Sequence, residues 1–214
     1  KAILVPTQMS EEEFQSMLDY YRKPLPQVFR LSQLAQNHQR LETELNKFFQ
    51  DIKAKQTESK PGEKSFDLSE YSCFPSQYGR VFKIEVDKTL VRKLPELENF
   101  NSWLRFNTDI GNCHRQEFVS MIPPIFMDVQ SNASVLDTCA APGSKTAQIM
   151  EMISTETRPM ELPSGVTGSP YGYVVANDSD AKRCHNLVHQ LQRIGIQNVI
   201  ITCQNAAKFE FADY

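Results

Sequence analysis

The 214-residue chain lacks the features that would place it in a specialised class of protein. No apolar run is long enough to cross a membrane, so we expect no membrane partner. Residues 1–8 do not have the layout of a signal peptide. The net charge is only -3, so a surface that binds nucleic acid would have to be local. These absences leave an ordinary globular chain, long enough for one large or two small domains.

The five cysteines do not have the spacing of a metal site, because none of them forms a C-x-x-C pair. We therefore predict no bound metal. Three of them lie in or beside predicted buried elements, which indicates free thiols in a reducing compartment. The cysteines are Cys73, Cys113, Cys139, Cys184 and Cys203.

The most informative segment is Ser134–Met150, with the sequence SVLDTCAAPGSKTAQIM. An apolar run that contains β-branched Val135 ends at Asp137, which is typical of a buried parallel strand. Pro142 fixes its own φ and Gly143 permits a positive φ, so the chain can turn sharply after the strand. The segment therefore predicts a strand followed by a tight turn.

The turn is built to bring a ligand close to the backbone. Ala140, Ala141 and Gly143 have almost no side-chain bulk, and Ser144 can begin a helix with free N–H groups. Open α/β sheets bind ligands at this place, where a strand ends and a helix begins.

Two common phosphate-binding motifs are absent from the segment. A dinucleotide fingerprint needs G-x-G-x-x-G, of which only one glycine is present. A P-loop needs a glycine where Thr138 stands, and Ser144 separates Gly143 from Lys145. An ordinary βα turn remains as the alternative to a specific ligand loop.

The string CAAPGSK resembles the S-adenosylmethionine loop of the Nop/Sun-type RNA (cytosine-5) methyltransferases. A seven-residue match between a strand and a helix favours this interpretation over an ordinary turn. The resemblance implies that S-adenosylmethionine is the cofactor. It also implies that the loop residues bind it, namely Cys139, Ala140, Ala141, Pro142, Gly143, Ser144 and Lys145.

Two further positions are predicted to contact the cofactor. Asp178 follows the strand Tyr171–Ala176 and matches the family position for the ribose hydroxyls, because a carboxylate accepts two hydrogen bonds side by side. Asp180 is predicted to cap the next helix. Asn205 follows the strand Val199–Cys203, where the family usually has an aspartate near the adenine amino group. An uncharged amide predicts weaker cofactor binding.

The chain is predicted to form two units, an N-terminal α/β RNA-binding domain (residues 1–110) and the first half of a methyltransferase domain (residues 111–214). Gln116, Glu117 and Ser120 resemble the family's Gln-Asp/Glu-x-x-Ser element, which packs beside the cofactor loop.

The segment Arg22–Leu31 resembles the Arg-x-Pro-Leu-Pro segment of the tRNA-modifying branch, where it opens a domain that helps to hold RNA. Between Arg22 and Leu41 there are four basic side chains and no acidic one. A solvated face explains this pattern at least as well as an RNA contact does. The four residues are Arg22, Lys23, Arg30 and Arg40.

The fold prediction is α/β, an incomplete doubly wound, Rossmann-like methyltransferase sheet preceded by a smaller α/β RNA-binding domain. The family chemistry uses two cysteines on segments after the fourth and fifth strands. Those segments have no counterpart here, so we predict none of the five cysteines to be catalytic. We expect the missing part to lie further along a longer chain or in a second chain.

The predicted function is methylation of carbon 5 of cytosine in tRNA by the complete enzyme, with S-adenosylmethionine as methyl donor. The alternative is a catalytically inactive module that binds RNA or acts as a scaffold. The resemblance also implies residence in the nucleus, with the cytoplasm as a second location.

Overall fold

The computed structural model describes residues 9–23, 25–35, 37–58, 67–85, 95–155, 172–195 and 197–209. These residues form two β-sheets with helices packed on them. The helices are α1 (Glu11–Arg22), α2 (His38–Glu58), α3 (Pro95–Asp109), α4 (Phe118–Phe126), α5 (Ser144–Thr155) and α6 (Ala181–Gln192). The strands are β1 (Gln27–Leu31), β2 (Asp67–Glu70), β3 (Val81–Glu85), β4 (Cys113–Arg115), β5 (Ser134–Asp137), β6 (Tyr173–Asn177) and β7 (Val199–Thr202). Among these helices we find none with the length and apolar character needed to span a membrane.

The strands β5, β6 and β7 are neighbours in that order and run parallel, as the sequence predicts. Val135 pairs with Val174, and Val175 pairs with Ile200. The connections contain α5 and α6, because parallel strands need a crossover. The prediction of an α/β fold is confirmed. The core of this part includes Val135, Ala147, Met150, Ile153, Val174, Ala176, Leu187 and Leu191.

The other sheet is antiparallel, with the strand order β2-β3-β1-β4. Successive side chains of a strand point to opposite faces. Phe29 and Leu31 of β1 therefore share one face, where they pack with Phe82 of β3 against α2 and α3. Val28 belongs to a second apolar cluster with Met121 of α4. This antiparallel sheet, called the first sheet below because its strands come first in the chain, therefore has helices on both faces.

The short strand β4 belongs to the first sheet, because Arg30 pairs with His114 and Leu31 pairs with Cys113. From the sequence we placed the start of the second unit at residue 111, whereas the strand at residues 113–115 extends the first sheet. The chain then enters α4, which contacts α5. The segment from β4 to α4 therefore connects the two sheets.

One carboxylate, that of Glu151 on α5, is buried between the two sheets with 1% exposure. Arg30 of β1 donates to it from Nη1. Ser32 donates from Oγ at 3.0 Å, and Nε2 of His114 lies 2.8 Å from the same carboxylate. Arg30 is fully buried as well. The two sheets therefore share a buried ion pair.

The surroundings of Glu151 keep its side chain ionised. Burial raises the pKa of this carboxyl, but the charge of Arg30 and the contact with His114 lower it by more. The pKa is lowered from 4.5 to about 2. A negative charge therefore faces Arg30 at neutral pH.

The basic residues near the N-terminus do not form one continuous RNA contact. For Arg30 that interpretation is wrong, because its side chain is inside the protein and bonded to a carboxylate. Arg22 and Arg40 are exposed, and they pair with Asp19 and Glu44 of their own helices. A solvated face accounts for these two arginines.

Glu151→Gln should lower the free energy of unfolding by about 3–5 kcal/mol, the scale for removing one partner of a buried ion pair. The reason is that Arg30 would stay charged inside the protein without a carboxylate. Urea unfolding followed by Trp103 fluorescence measures the loss. Glu85→Gln is the matched control, because Glu85 pairs with Lys83 at the surface, where a pair contributes about 0–1 kcal/mol. Equal losses in the two variants would contradict the expectation.

The stabilisation by Glu151 should depend on pH in one direction. A carboxyl whose pKa is lower in the folded chain stabilises the fold above its unfolded pKa, and this is lost as the pH falls through the folded pKa. The gap in unfolding free energy between wild type and Glu151→Gln should therefore shrink from about pH 4.5 towards about pH 2. A gap that stays constant over this range would show that the carboxylate charge is not the stabilising feature.

Candidate cofactor-binding site

The loop between β5 and α5 is tied together by Asp137, the last residue of β5. Its Oδ2 accepts a hydrogen bond from Oγ1 of Thr146 at 2.7 Å, and its Oδ1 accepts from the backbone N–H of Cys139 at 3.4 Å. Thr146 lies in the first turn of α5, which begins at Ser144 as predicted. One carboxylate thus joins the strand end, the loop and the helix start.

The small residues of the loop are packed inside the protein. Ala140 and Ala141 are buried members of the core around the parallel sheet. Gly143 has a φ of +107°, and a Cβ at this position would lie 2.8 Å from Cδ1 of Leu187 on α6. The predicted turn with positive φ at Gly143 is confirmed. Close packing against α6 is a second reason for small residues here.

The predicted cofactor-binding residues divide into a buried and a surface group. Ser144 is half-buried between the two groups. The buried group is Ala140, Ala141, Gly143 and Asp178, and the surface group is Cys139, Pro142, Lys145 and Asn205.

Asp178 follows β6 and lies against the loop, where the sequence predicts a carboxylate. Its Oδ2 accepts from the backbone N–H of Ala141 at 3.2 Å, and its Oδ1 accepts from that of Asp180 at 3.2 Å. The guanidinium of Arg183 lies 3.3 Å from Oδ2. The carboxylate is 2% exposed and is held towards the loop from several sides.

Arg183 on α6 was not predicted from the sequence. Its Nη2 donates to the backbone carbonyl of Ala141 at 2.6 Å while the guanidinium pairs with Asp178. Arg183 therefore holds the loop and the carboxylate together. The sequence feature that could have pointed to Arg183 was its position in the first turn of the helix that follows Asp178. The predicted cap of that helix is confirmed, because Asp180 accepts from the N–H groups of Lys182 and Arg183.

Asn177 is a second residue that was missed, and it joins the carboxyl ends of all three parallel strands. Its Nδ2 donates to the carbonyls of Thr138 and Gln204 at 3.1 and 2.9 Å. Its Oδ1 accepts from Oγ1 of Thr202 at 2.9 Å and from the N–H of Gln204 at 3.0 Å. An amide offers two donors and two acceptor positions, so the capacity of this fully buried side chain is used.

Asn205 lies at the same edge of the sheet, after β7. It is exposed, and its Oδ1 accepts from the N–H of Ala207 at 3.0 Å, which caps the short 3-10 turn Ala206–Lys208. Its predicted contact with the adenine amino group stays a prediction.

The element formed by Gln116, Glu117 and Ser120 lies beside α5. Nε2 of Gln116 donates to Oε1 of Gln148 at 3.0 Å and to the carbonyl of Ser120 at 3.1 Å. Gln148 in turn donates to the carbonyl of Met121 at 2.9 Å. Glu117 is exposed and precedes α4. The element therefore packs against the helix that follows the loop.

Two cysteines are held in the thiol form by their surroundings. Burial raises the pKa of Cys113 to about 12. Burial and the neighbouring Cys203 raise the pKa of Cys184. Neither residue has the lowered pKa of a nucleophilic cysteine. Within the described ranges, no three His, Cys, Asp or Glu side chains are grouped so that they could hold a metal ion.

The fold defines the class of protein as an open α/β domain, a class in which ligands bind at the carboxyl ends of the parallel strands. Residues 124–212 match the family model described as 16S rRNA methyltransferase RsmB/F. Over these residues the chain is similar to the Nop/Sun-type (RsmB/F) methyltransferases, as the loop predicts.

Two curated relatives match the chain in sequence, and one solved structure has a similar fold. Multisite-specific tRNA:(cytosine-C(5))-methyltransferase trm4b of Schizosaccharomyces pombe is 33% identical over 198 residues, which are 92% of this chain and 28% of the relative. Multisite-specific tRNA:(cytosine-C(5))-methyltransferase of Saccharomyces cerevisiae is 42% identical over 128 residues, which are 60% of this chain and 17% of the relative. The structure of NSun6 from Pyrococcus horikoshii with SFG has a similar fold, with a TM-score of 0.54 and 16% identity over 92% of this chain and 63% of that chain. The chain thus spans less than a third of the length of these two curated relatives.

Asn177→Asp should lower the free energy of unfolding by about 2–4 kcal/mol, because buried carbonyls would lose their donor and face a carboxylate. The affected carbonyls are those of Thr138 and Gln204. Urea unfolding measures the loss. Asn186→Asp on the exposed side of α6 is the matched control and should change stability by no more than about 0.5 kcal/mol. Similar effects of both substitutions would show that Asn177 does not join the strand ends.

Proposed function

We propose that this chain is the RNA-holding and cofactor-holding part of a methyltransferase that acts on carbon 5 of cytosine in tRNA. The observation that carries the proposal is the meeting of the CAAPGSK loop, Asp178 and Asn205 at the carboxyl ends of β5, β6 and β7. Ligands bind at this edge in open α/β sheets. The names of the two relatives support this reaction, and the family model, described as a 16S rRNA methyltransferase, supports methylation of RNA.

The side chains at this edge suit the chemistry of S-adenosylmethionine, which supplies the activated methyl group when bound. The ribose hydroxyls and the adenine amino group are donors, and Asp178 and Asn205 offer acceptor oxygens. The methionine end carries a carboxylate, for which the exposed Lys145 offers a positive charge. The residues present therefore fit the cofactor.

Asp178 keeps capacity for a ligand although it is buried. A carboxylate has about four acceptor positions. In the structure three groups approach it, the N–H groups of Ala141 and Asp180 and the guanidinium of Arg183. We infer that Arg183 and the loop orient the carboxylate, and that a ribose hydroxyl takes the remaining position.

We propose that the first sheet and its helices hold the tRNA. The names of the relatives and the resemblance of Arg22–Leu31 to the tRNA-modifying branch support this. With Arg30 buried, exposed cations such as Lys23 and Arg115 are the candidates for phosphate contacts. Such contacts weaken as the salt concentration rises. Nuclear residence rests on the resemblance alone and is part of the same proposal.

We propose that the catalytic thiolates of the complete enzyme lie outside this chain. Carbon 5 of cytosine becomes nucleophilic only after a thiolate has added to the ring. Cys139 is exposed, but it belongs to the cofactor loop, and Cys113 and Cys184 are held as thiols. None of these three cysteines is therefore assigned a catalytic role.

Asp178→Asn should weaken S-adenosylmethionine binding by about 1.5–3 kcal/mol, the scale for losing a hydrogen bond to a charged group. Isothermal titration calorimetry with the chain measures the effect. Asp180→Asn is the matched control, because asparagine caps a helix as well as aspartate does. Unchanged affinity in Asp178→Asn would show that this residue is structural. A wild-type chain without cofactor binding would favour the catalytically inactive RNA-binding module.

The 214-residue chain alone should not methylate tRNA, because the cytosine ring is not activated without a catalytic thiolate. The measurement is an incubation of the chain with unmodified tRNA and methyl-labelled S-adenosylmethionine. The Saccharomyces cerevisiae relative named for this activity serves as the positive control. Label in cytosine that disappears when one of the five cysteines is replaced by serine would place the active site within this chain.

A further inference from the structure

The helix α5 carries two buried polar side chains, Gln148 and Glu151, on the face that meets the first sheet. They are three residues apart, so they lie on the same side of the helix. Gln148 accepts from Gln116, directly after β4, and Glu151 accepts from Arg30 and Ser32 at the end of β1. All three partners therefore belong to the first sheet or its continuation.

These contacts fix the position of α5 along the first sheet as well as holding the two together. Apolar burial is non-directional and tolerates sliding. Hydrogen bonds to an ionised carboxylate are short and depend on angle. Because Arg30, Ser32 and His114 approach one carboxylate from two adjacent strands, a shift of α5 along the first sheet would break several contacts at once.

The position of α5 also sets the position of the cofactor loop. The helix begins at Ser144, directly after the loop, and Asp137 ties the loop to Thr146 of the same helix. A second close approach lies at Gly111, where a Cβ would stand 2.2 Å from the carbonyl of Arg193 after α6. The first sheet therefore contacts α5, and the segment that enters β4 lies close to the end of α6.

Stability alone is a weak reason to keep this ion pair. Replacing a buried ion pair by apolar side chains of similar size is often neutral or stabilising, whereas the pair specifies which groups face each other. Arg30 and Glu151 come from opposite sides of the contact between the sheets and are 121 residues apart in the chain. They are therefore suited to fix how the two parts meet.

We propose that Arg30, His114 and Glu151 are positioning residues that fix the first sheet against α5, the helix that follows the cofactor loop. A nucleotide held by the first sheet would then meet the cofactor at a set distance and angle. The fixed position of α5 on the first sheet, which is the mechanical part of the proposal, is argued from the geometry. Its consequence for methyl transfer rests on the proposed function.

The first test compares the wild-type chain with Arg30→Met/Glu151→Met, which replaces the ion pair by apolar side chains. Urea unfolding is followed by the fluorescence of Trp103, packed at the core of the first sheet, and by mass-spectrometric thiol labelling of buried Cys184 on α6. The two midpoints should coincide in the wild type and separate by roughly 0.5 M urea or more in the double variant. Coincident midpoints in the double variant would overturn the proposal.

The matched control is Arg80→Met/Glu70→Met, because Arg80 and Glu70 form an ion pair within the first sheet. This change should leave the midpoints coincident. Ser32→Ala is the milder variant, to be used if the double variant does not fold, since it removes one hydrogen bond to Glu151 and keeps the ion pair. It should separate the midpoints by less, in the same direction. No separation in this variant would also overturn the proposal.

The second test reads the coupling between the two ligands. The dissociation constant of S-adenosylmethionine is measured with and without saturating tRNA. In the wild type the ratio should differ from 1, and in Arg30→Met/Glu151→Met it should fall to about 1 while the value without tRNA stays within about twofold. A wild-type ratio of 1, or a ratio that the substitutions do not change, would overturn the positioning role. If the wild type binds neither ligand, the proposed function fails, and the unfolding test still decides the mechanical part.

Discussion

The arrangement of the two sheets depends on the burial of one charged group, the carboxylate of Glu151, between them. A charge inside a protein is tolerated only where an opposite charge and hydrogen bonds replace water. Arg30, Ser32 and His114 meet this condition from the first sheet, and α5 brings the carboxylate from the parallel sheet. Each of the two parts therefore supplies one side of this buried ion pair. The cofactor loop directly precedes α5, so the contacts of Glu151 also set the position of the loop relative to the first sheet.

The features that depend on nearby residues could be predicted from the sequence. The parallel order of β5, β6 and β7 follows from short apolar runs separated by helical patterns. The cap of α6 follows from Asp180, whose side chain accepts from backbone N–H groups two and three residues further on. The turn at Gly143 depends on its own φ. In each of these cases the residues that decide the structure lie within one segment.

The roles of Arg30, Asn177 and Arg183 could not be predicted, because their partners are distant in the chain. Alternation with Phe29 and Leu31 does place Arg30 on the opposite face of β1. Nothing local shows that a helix 121 residues later covers that face. An arginine is mostly exposed in proteins, so the sequence offered only a solvated face or an RNA contact as interpretations. The four bonds of Asn177 likewise exist only once three strands are in register.

The loop also shows why a matching motif does not separate binding from packing. Its two alanines and Gly143 match the family's cofactor loop, and the same residues fill the core or press against α6. A larger side chain at Gly143 would press on Cδ1 of Leu187 and would be strained at the positive φ of this position. Lower cofactor affinity in such a variant would therefore not identify a ligand contact. Cys139 and Lys145 are exposed in the same loop, so substitutions there can change ligand contacts while the core stays intact.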